Sequence, residues 1–370
     1  MNLDEIRRDI DKVDIELKEL FLKRMALVNE VYLYKRENNL PVKNQKREDE
    51  IIEKRTSDLK KYKVETKEFF KTLMDISCKY QEQNLNTEFF CDTDFKKISK
   101  EEFLDSISSV SYQGISGSYG NEMAKKIFPD KNIISKNTFK DVCISVKSKE
   151  VQAGVLPIEN LSAGSINEVY DLIEEYGLNI VMAKELEIDH CLLGTGTFED
   201  IKTVKSHPQA LMQCDKFISE NNFIKEESIN TAIAAKELSE TKDKKTGVIC
   251  NKINKDYYNL KLLRESISDI KGNKTRFIVV CDEKIIIDNP EKISIVFSLP
   301  HKAGSLARAL NEISLNGFNL SKIESRPVKS DKWEYLFYAD VEGSLLCDET
   351  KKYFKKISYL FDYIRIIGNY

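Results

Sequence analysis

Glycine is missing from the first 113 residues of this 370-residue chain, and Pro41 is the one proline among them. Glycine and proline end helices and open turns, so a stretch this poor in both predicts helix. An excess of one charge is also missing. There are 58 Lys and Arg against 61 Asp and Glu, a formal net charge of -3. A nucleic-acid binder would carry a basic excess, so no nucleic-acid partner is expected. No apolar run reaches the length of a membrane span, and residues 1–20 are too charged for a signal peptide. Histidine is scarce, with three in the chain, and the eight cysteines stand singly without a CxxC pair. That pattern predicts no metal site, reduced thiols and a cytoplasmic compartment.

The remaining composition divides the chain. Glycine appears from Gly114 onward, a polar run precedes it, and Asp288-Asn289-Pro290 makes a second break. The predicted segments are 1–86, a linker over 87–107, then 108–285 and 290–370.

In the first segment Leu3, Ile6, Ile10, Val13, Leu17, Leu20, Leu27, Val31 and Tyr34 recur at spacings of three and four. A helix over 3–38 would be about 54 Å long. A globule of this segment's size has a diameter of roughly 30 Å. An antiparallel dimer, in which two such helices cover each other's seams, is therefore expected. Arg24 falls where the seam requires an apolar residue, and a cation buried there must meet an anion. An acidic side chain or a bound dianion would serve, or the arginine side chain would snorkel to solvent. Lys35 lies three turns on, near the same face. Arg7 is about 25 Å away along the axis, so an Arg7 would reach the site from the partner chain. A second helix from about Gln45 carries Arg47 and Glu48 in its first turn, and a third places Ser77 and Gln81 on an apolar stripe with Phe70 and Leu73.

Together Arg7, Arg24, Lys35, Arg47, Glu48, Ser77 and Gln81 resemble the active-site set of the all-helical chorismate mutases. The resemblance implies an intertwined homodimer and a pericyclic rearrangement of chorismate to prephenate with no cofactor. Arginines would clamp two carboxylates, Lys35 and Gln81 would meet the ether oxygen, and Glu48 the substrate hydroxyl. Asn44 stands where close relatives often carry Asp, at a secondary hydroxyl contact.

In the second segment three short blocks each close an apolar run: Gly154–Asn160, Ser206–Leu211 and Thr275-Arg276-Phe277. Loops at strand ends are where α/β proteins hold small ligands. Ser206 reads as a helix N-cap with Pro208 in the first turn, and a helix N-terminus facing a cleft favours an anion. Capping alone would also explain that block. In this order the blocks, with Glu185–Leu193, resemble prephenate dehydratase. That implies a two-lobed α/β fold like a periplasmic binding protein, with loss of water and carbon dioxide from prephenate to give phenylpyruvate in the cleft. By the resemblance Thr275 assists departure of the ring hydroxyl and Arg276 holds a carboxylate. Asn160, Ser206 and Gln213 orient the ring, while Glu159 and His207 support.

The third segment reads as βαββαβ, an α+β ferredoxin-like pattern. Its Gly304-Ser305-Leu306 and Glu324-Ser325-Arg326-Pro327 resemble the L-phenylalanine-binding motifs of ACT domains fused to this dehydratase. Ser305 stands for the usual alanine. Trp333 is expected to pack within a strand. The three resemblances imply a bifunctional enzyme inhibited by L-phenylalanine. A non-catalytic amino-acid-responsive protein, or a dehydratase with a merely dimerising helical part, stays open.

Overall fold

The computed structural model describes residues 2–85, 91–327 and 335–370. Trp333 lies outside them. The chain forms two compact units, Met1–Phe90 with Lys355–Leu360, and Cys91–Phe354 with Phe361–Tyr370.

The first unit is helical: α1 (Leu3–Glu37), α2 (Gln45–Thr56) and α3 (Lys63–Leu85). Asn2 and Glu5 form a capping box at the start of α1, and Lys35 and Arg36 suit the dipole at its end. The backbone then turns through Asn39, at φ 51°. The buried residues of α1 are Val28 and Tyr32. Its apolar seam is open: Leu20 and Leu27 are both 61% exposed. Covering a side chain of that kind is worth about 1.5–3 kcal/mol, so the uncovered stripe is a large unused driving force.

The second unit begins with β1 (Lys96–Ile98) and α4 (Lys100–Ser106). The expectation of a linker over 87–107 is corrected over its described part. β1 pairs in parallel with β13 (Ile285–Ile287), and Phe103 is 1% exposed in the core. Ile98, Phe103 and Ile107 are few and widely spaced among charged residues, so the average composition hid three anchors.

Two sheets follow. One has five strands, in the order β11 (Lys261–Arg264), β7 (Cys191–Gly194), β10 (Thr246–Cys250), β8 (Thr203–Ser206), β9 (Ile224–Glu227). Helices α8 (Pro208–Gln213), α9 (Asp215–Glu220), α10 (Thr231–Thr241) and α11 (Asn254–Tyr258) connect its strands. The other sheet has ten strands. Its first part is β3 (Asn132–Lys136), β2 (Ser109–Gln113), β4 (Ala153–Asn160), β12 (Lys274–Cys281) and β6 (Asn179–Glu187), with the short β5 (Gly164–Ser165) on β4. Helices α5 (Tyr119–Ile127), α6 (Phe139–Lys147) and α7 (Asn167–Glu175) link these strands.

The sheet does not stop at the break near residue 290. It continues through β17 (Tyr363–Asn369), β14 (Lys292–Ser298), β16 (Tyr335–Glu342) and β15 (Leu320–Pro327), with α12 (Ser305–Leu315) and α13 (Asp348–Ile357) completing a βαββαβ order. Val296, Tyr338 and Ile367 share one core with Val169, Ile173 and Ile278. The two parts of the sheet meet where Gly368 of β17 registers with Ile180 of β6. A Cβ at 368 would lie 2.4 Å from the Ile180 carbonyl oxygen, so this approach requires glycine.

Candidate active sites

In the helical unit α3 brings Ser77 and Cys78 to Arg24 of α1, and Gln81 lies one helical turn beyond Ser77 on α3. Arg24 Nη1 donates to Ser77 Oγ at 2.5 Å and to the Leu73 carbonyl at 3.1 Å. Burial lowers the pKa of the guanidinium, which lacks an acidic side-chain partner among the described residues. Glu48 Oε1 accepts from Cys78 Sγ at 3.7 Å, and Lys35 Nζ donates to the Val42 carbonyl at 2.5 Å. The Cys78 thiol is raised to about 11, first by burial, then by Glu48 and Glu82, against the pull of Lys35. One half-buried atom therefore feels Glu48 and Lys35 and acts on Arg24, which gathers the expected charges around it. Gln81 is buried, and its Oε1 has no hydrogen-bond partner among the described residues. An orphaned buried amide oxygen costs about 1–3 kcal/mol, a cost that a bound polar ligand relieves. Arg7 and Arg47 are exposed and pair loosely with Asp4 and Glu50. Asn44 caps α2, accepting from Arg47 N at 3.1 Å.

In the second unit a cavity of about 250 Å³ opens between the two sheets. Thr275, Phe277 and Asn160 line it from the ten-stranded sheet, and His190, His207, Gln213 and Thr231 from the other side. Thr275 and Asn160 are register partners on β12 and β4. Asn160 Nδ2 donates to Thr275 Oγ1 at 2.8 Å and to the Lys274 carbonyl at 3.2 Å. The Thr275 oxygen thus accepts inside the protein, and its own hydrogen is left for the cavity. Asn160 Oδ1 accepts from Ser162 Oγ at 2.7 Å, and Gln213 Nε2 donates to Ser162 Oγ at 2.7 Å. Gln213 Oε1 lies 3.0 Å from His190 Nε2. His207 caps α8, its Nδ1 accepting from Gln209 N at 3.2 Å.

No Lys, Arg, Asp or Glu side chain lines this cavity among the described residues. Besides the His207-capped start of α8, two helix starts do: Ser118 and Tyr119 at α5, and Asn230 and Thr231 at α10. Their free main-chain N–H groups and dipoles suit carboxylates without a fixed cation. The arrangement suits an anion at the helix starts, with hydroxyl and amide groups lining the space between.

A prephenate dehydratase model matches residues 110–285, and a chorismate mutase type II model matches residues 6–82. A bifunctional chorismate mutase/prephenate dehydratase of Buchnera aphidicola subsp. Schizaphis graminum is 29% identical over 377 residues, 98% of this chain and 95% of that protein. The arogenate dehydratase/prephenate dehydratase 1, chloroplastic, of Arabidopsis thaliana is 36% identical over 284 residues, 72% of each chain. The chain belongs to the bifunctional chorismate mutase/prephenate dehydratase family. A prephenate dehydratase of Arthrobacter aurescens, solved in complex with L-Phe, shares the fold with a TM-score of 0.66 at 24% identity, over 71% of this chain and 89% of that one.

Several residues expected in the dehydratase site stand elsewhere. Ser206 ends β8 fully buried, and its Oγ donates to the Ile249 carbonyl at 2.5 Å, tying β8 to β10. The helix cap is His207, one residue on. Arg276 follows Thr275 on a strand, so it faces the opposite side, where Nη1 meets Glu159 Oε2 at 3.0 Å. Glu159 turns away from the cavity for the same reason and also meets Lys322 at 3.4 Å.

The C-terminal motif residues also separate by alternation along β15. Glu324 and Arg326, expected to hold L-phenylalanine, face α7. Arg326 Nη2 pairs with Asp171 Oδ2 at 2.6 Å, and Glu324 accepts from the Ser165 hydroxyl. Ser325 and Pro327 are on the exposed face, and Gly304, Ser305 and Leu306 lie at the start of α12. Cys78, Tyr119, Ser162 and His190 were not expected in either family site. His190 stood inside the Glu185–Leu193 block, but nothing in its spacing distinguished it from a core histidine.

Proposed function

We propose that the helical unit rearranges chorismate to prephenate, that the cavity converts prephenate to phenylpyruvate, and that L-phenylalanine restrains the second step through the C-terminal segment. The Thr275 hydroxyl carries this reading: it is held as an acceptor by Asn160 and left to donate into an uncharged cavity flanked by helix starts. Prephenate carries a ring carboxylate, a side-chain carboxylate and a ring hydroxyl. As the hydroxyl leaves it takes one proton and departs as water. The ring carboxylate leaves as carbon dioxide, and its bonding pair completes the aromatic ring. Aromatisation drives the step, so positioning and hydrogen-bond donation to the departing oxygen are the protein's part.

In the helical unit no covalent chemistry is required. Arg24 and Lys35, with Arg7 of a partner chain, would hold the dicarboxylate in its reactive conformer. Gln81 and Lys35 would stabilise the ether oxygen as its bond to carbon breaks. The exposed seam of α1 supports a homodimer. Leu20→Glu combined with Leu27→Glu is expected to give monomers in sedimentation and to remove chorismate turnover with them. A dimeric, active double variant would refute the seam.

L-phenylalanine would bind at Gly304-Ser305-Leu306 with the exposed side of β15, in an ACT-type ferredoxin-like segment. The other side of β15 reaches the catalytic strands. Lys322 Nζ meets Ser165 Oγ at 2.6 Å, Tyr170 OH at 2.9 Å and Glu159 at 3.4 Å, directly behind Asn160. Lys322→Met is expected to raise the L-phenylalanine concentration for half-inhibition at least about fivefold, while the uninhibited rate persists. Unchanged inhibition would exclude Lys322 as the link. Reduced thiols and balanced charge support a cytosolic enzyme.

The deciding experiment supplies chorismate to the full chain and follows prephenate and phenylpyruvate separately, with and without L-phenylalanine. Phenylpyruvate suppressed by L-phenylalanine is expected. Accumulated prephenate would leave only the helical activity, and untouched chorismate would remove it.

A further inference from the structure

The chemistry proposed for the cavity uses Thr275, Asn160 and Gln213, yet the polar groups behind them form a longer ordered chain. Its direction can be worked out from the main chain. Asn160 Oδ1 lies 3.0 Å from Ser162 N and 3.1 Å from Ala163 N, so this atom is the oxygen. Ser162 Oγ, 2.7 Å from that oxygen, must donate to it. The same hydroxyl oxygen must then accept from Gln213, which fixes Gln213 Nε2 toward Ser162 and Oε1 toward His190. His190 Nε2 therefore bears the hydrogen, and Nδ1 is the bare nitrogen facing Tyr119 OH at 3.1 Å. Tyr119 OH also donates to the Asp189 carbonyl at 3.1 Å, so its one hydrogen is shared between that oxygen and Nδ1.

Burial lowers the His190 pKa and raises that of Tyr119 well above its usual value. A neutral imidazole beside a protonated phenol matches the assigned directions. A carboxamide has two hydrogens. Gln213 uses one on Ser162, and with its oxygen held by His190 the second is turned to the cavity.

We propose that His190 is a positioning residue for the dehydration step: it fixes the Gln213 carboxamide so that an N–H, not a carbonyl, faces the substrate. Gln213 then acts with the Thr275 hydroxyl as a second preset donor. If the carboxamide turned over, it would present an oxygen to a dianion and oppose binding and reaction alike. The chain does not deliver the proton that leaves with the water. It passes through two carboxamides, which orient dipoles but do not relay protons at neutral pH. That proton enters from the cavity side. The inference rests on the dehydratase reading of the cavity.

The test uses the full chain, supplied prephenate and a double-mutant cycle. His190→Leu is expected to lower kcat/KM for prephenate about 10- to 100-fold, the scale of a misplaced contact group. His190→Gln, which can again donate to Gln213, is expected to recover most of the loss. In a Gln213→Ala background His190→Leu is expected to cost less than about twofold, because the group it holds is gone. Equal losses in both backgrounds, or failure of His190→Gln to recover, would assign His190 to packing alone and overturn the proposal. A thermal midpoint for each variant separates unfolding from mispositioning, and an unfolded His190→Leu leaves the decision to the His190→Gln pair. If Thr275→Ala keeps full prephenate turnover, the dehydratase reading itself fails. If Thr275→Ala is inactive and the cycle is additive, the reading stands and this inference falls.

Discussion

Replacing Thr275 by alanine is expected to lower prephenate turnover ~10²–10³-fold, the cost of deleting one preset donor at a developing charge. Chorismate should still be consumed at the normal rate, so prephenate would accumulate. The direction of the hydrogen bonds at Thr275 sets this effect. Asn160 donates to Thr275 Oγ1 at 2.8 Å, and Asn160 is itself locked by two backbone N–H groups and the Lys274 carbonyl. The threonine hydrogen has no competing acceptor within that set, so it is available before substrate arrives and needs no reorganisation. Thr275→Ser keeps the hydroxyl but loses the methyl that restricts its rotation, and should fall between wild type and alanine. Thr275→Val keeps the shape and should resemble alanine. Phenylpyruvate formation from supplied prephenate checks all three, and a Val variant near wild type would end the donor assignment.

The second large effect is expected at Arg24. Arg24→Ala should lower chorismate turnover roughly 10³-fold while supplied prephenate is still dehydrated. The guanidinium spends one nitrogen on Ser77 and the Leu73 carbonyl. That fixes the plane of the fork and leaves its other N–H groups to meet carboxylate oxygens side by side. An ammonium cannot copy this, so Arg24→Lys should recover little. Burial already lowers the Arg24 pKa, a sign that the charge lacks compensation in the free protein. Chorismate loss measured apart from product formation decides the matter, and retained turnover in Arg24→Ala would remove the clamp.

The helical part was legible because its signal is periodic. Nine seam residues at alternating spacings of three and four defined α1, and Arg24 stood out as the position that broke the repeat. The βαββαβ order was legible from alternating runs. Strand faces were harder. Thr275 and Arg276 are neighbours in one motif, but consecutive strand residues point to opposite sides, and only the register with Asn160 and Glu159 tells which side is the cavity. Ser206 was misplaced by one residue, since a serine before His-Pro is also a plausible cap. His190 and Ser162 were beyond reach because their significance lies in a chain of contacts spanning 23 and 51 residues.

One narrow place in the ten-stranded sheet has a mechanical consequence. The first strands of the sheet and the last four meet at a single registered pair, Gly368 with Ile180, with no side chain on the Gly368 side of the seam. A joint that small resists twisting weakly, since each main-chain hydrogen bond there is worth about 1 kcal/mol. Stiffness comes instead from the core that Val296, Tyr338 and Ile367 share with Val169, Ile173 and Ile278, and from the pairs to one side, Arg326 to Asp171, Arg365 to Glu174 and Lys322 to Glu159. A lever pivoted at Gly368 and braced at Glu159 would deliver its displacement one residue from Asn160.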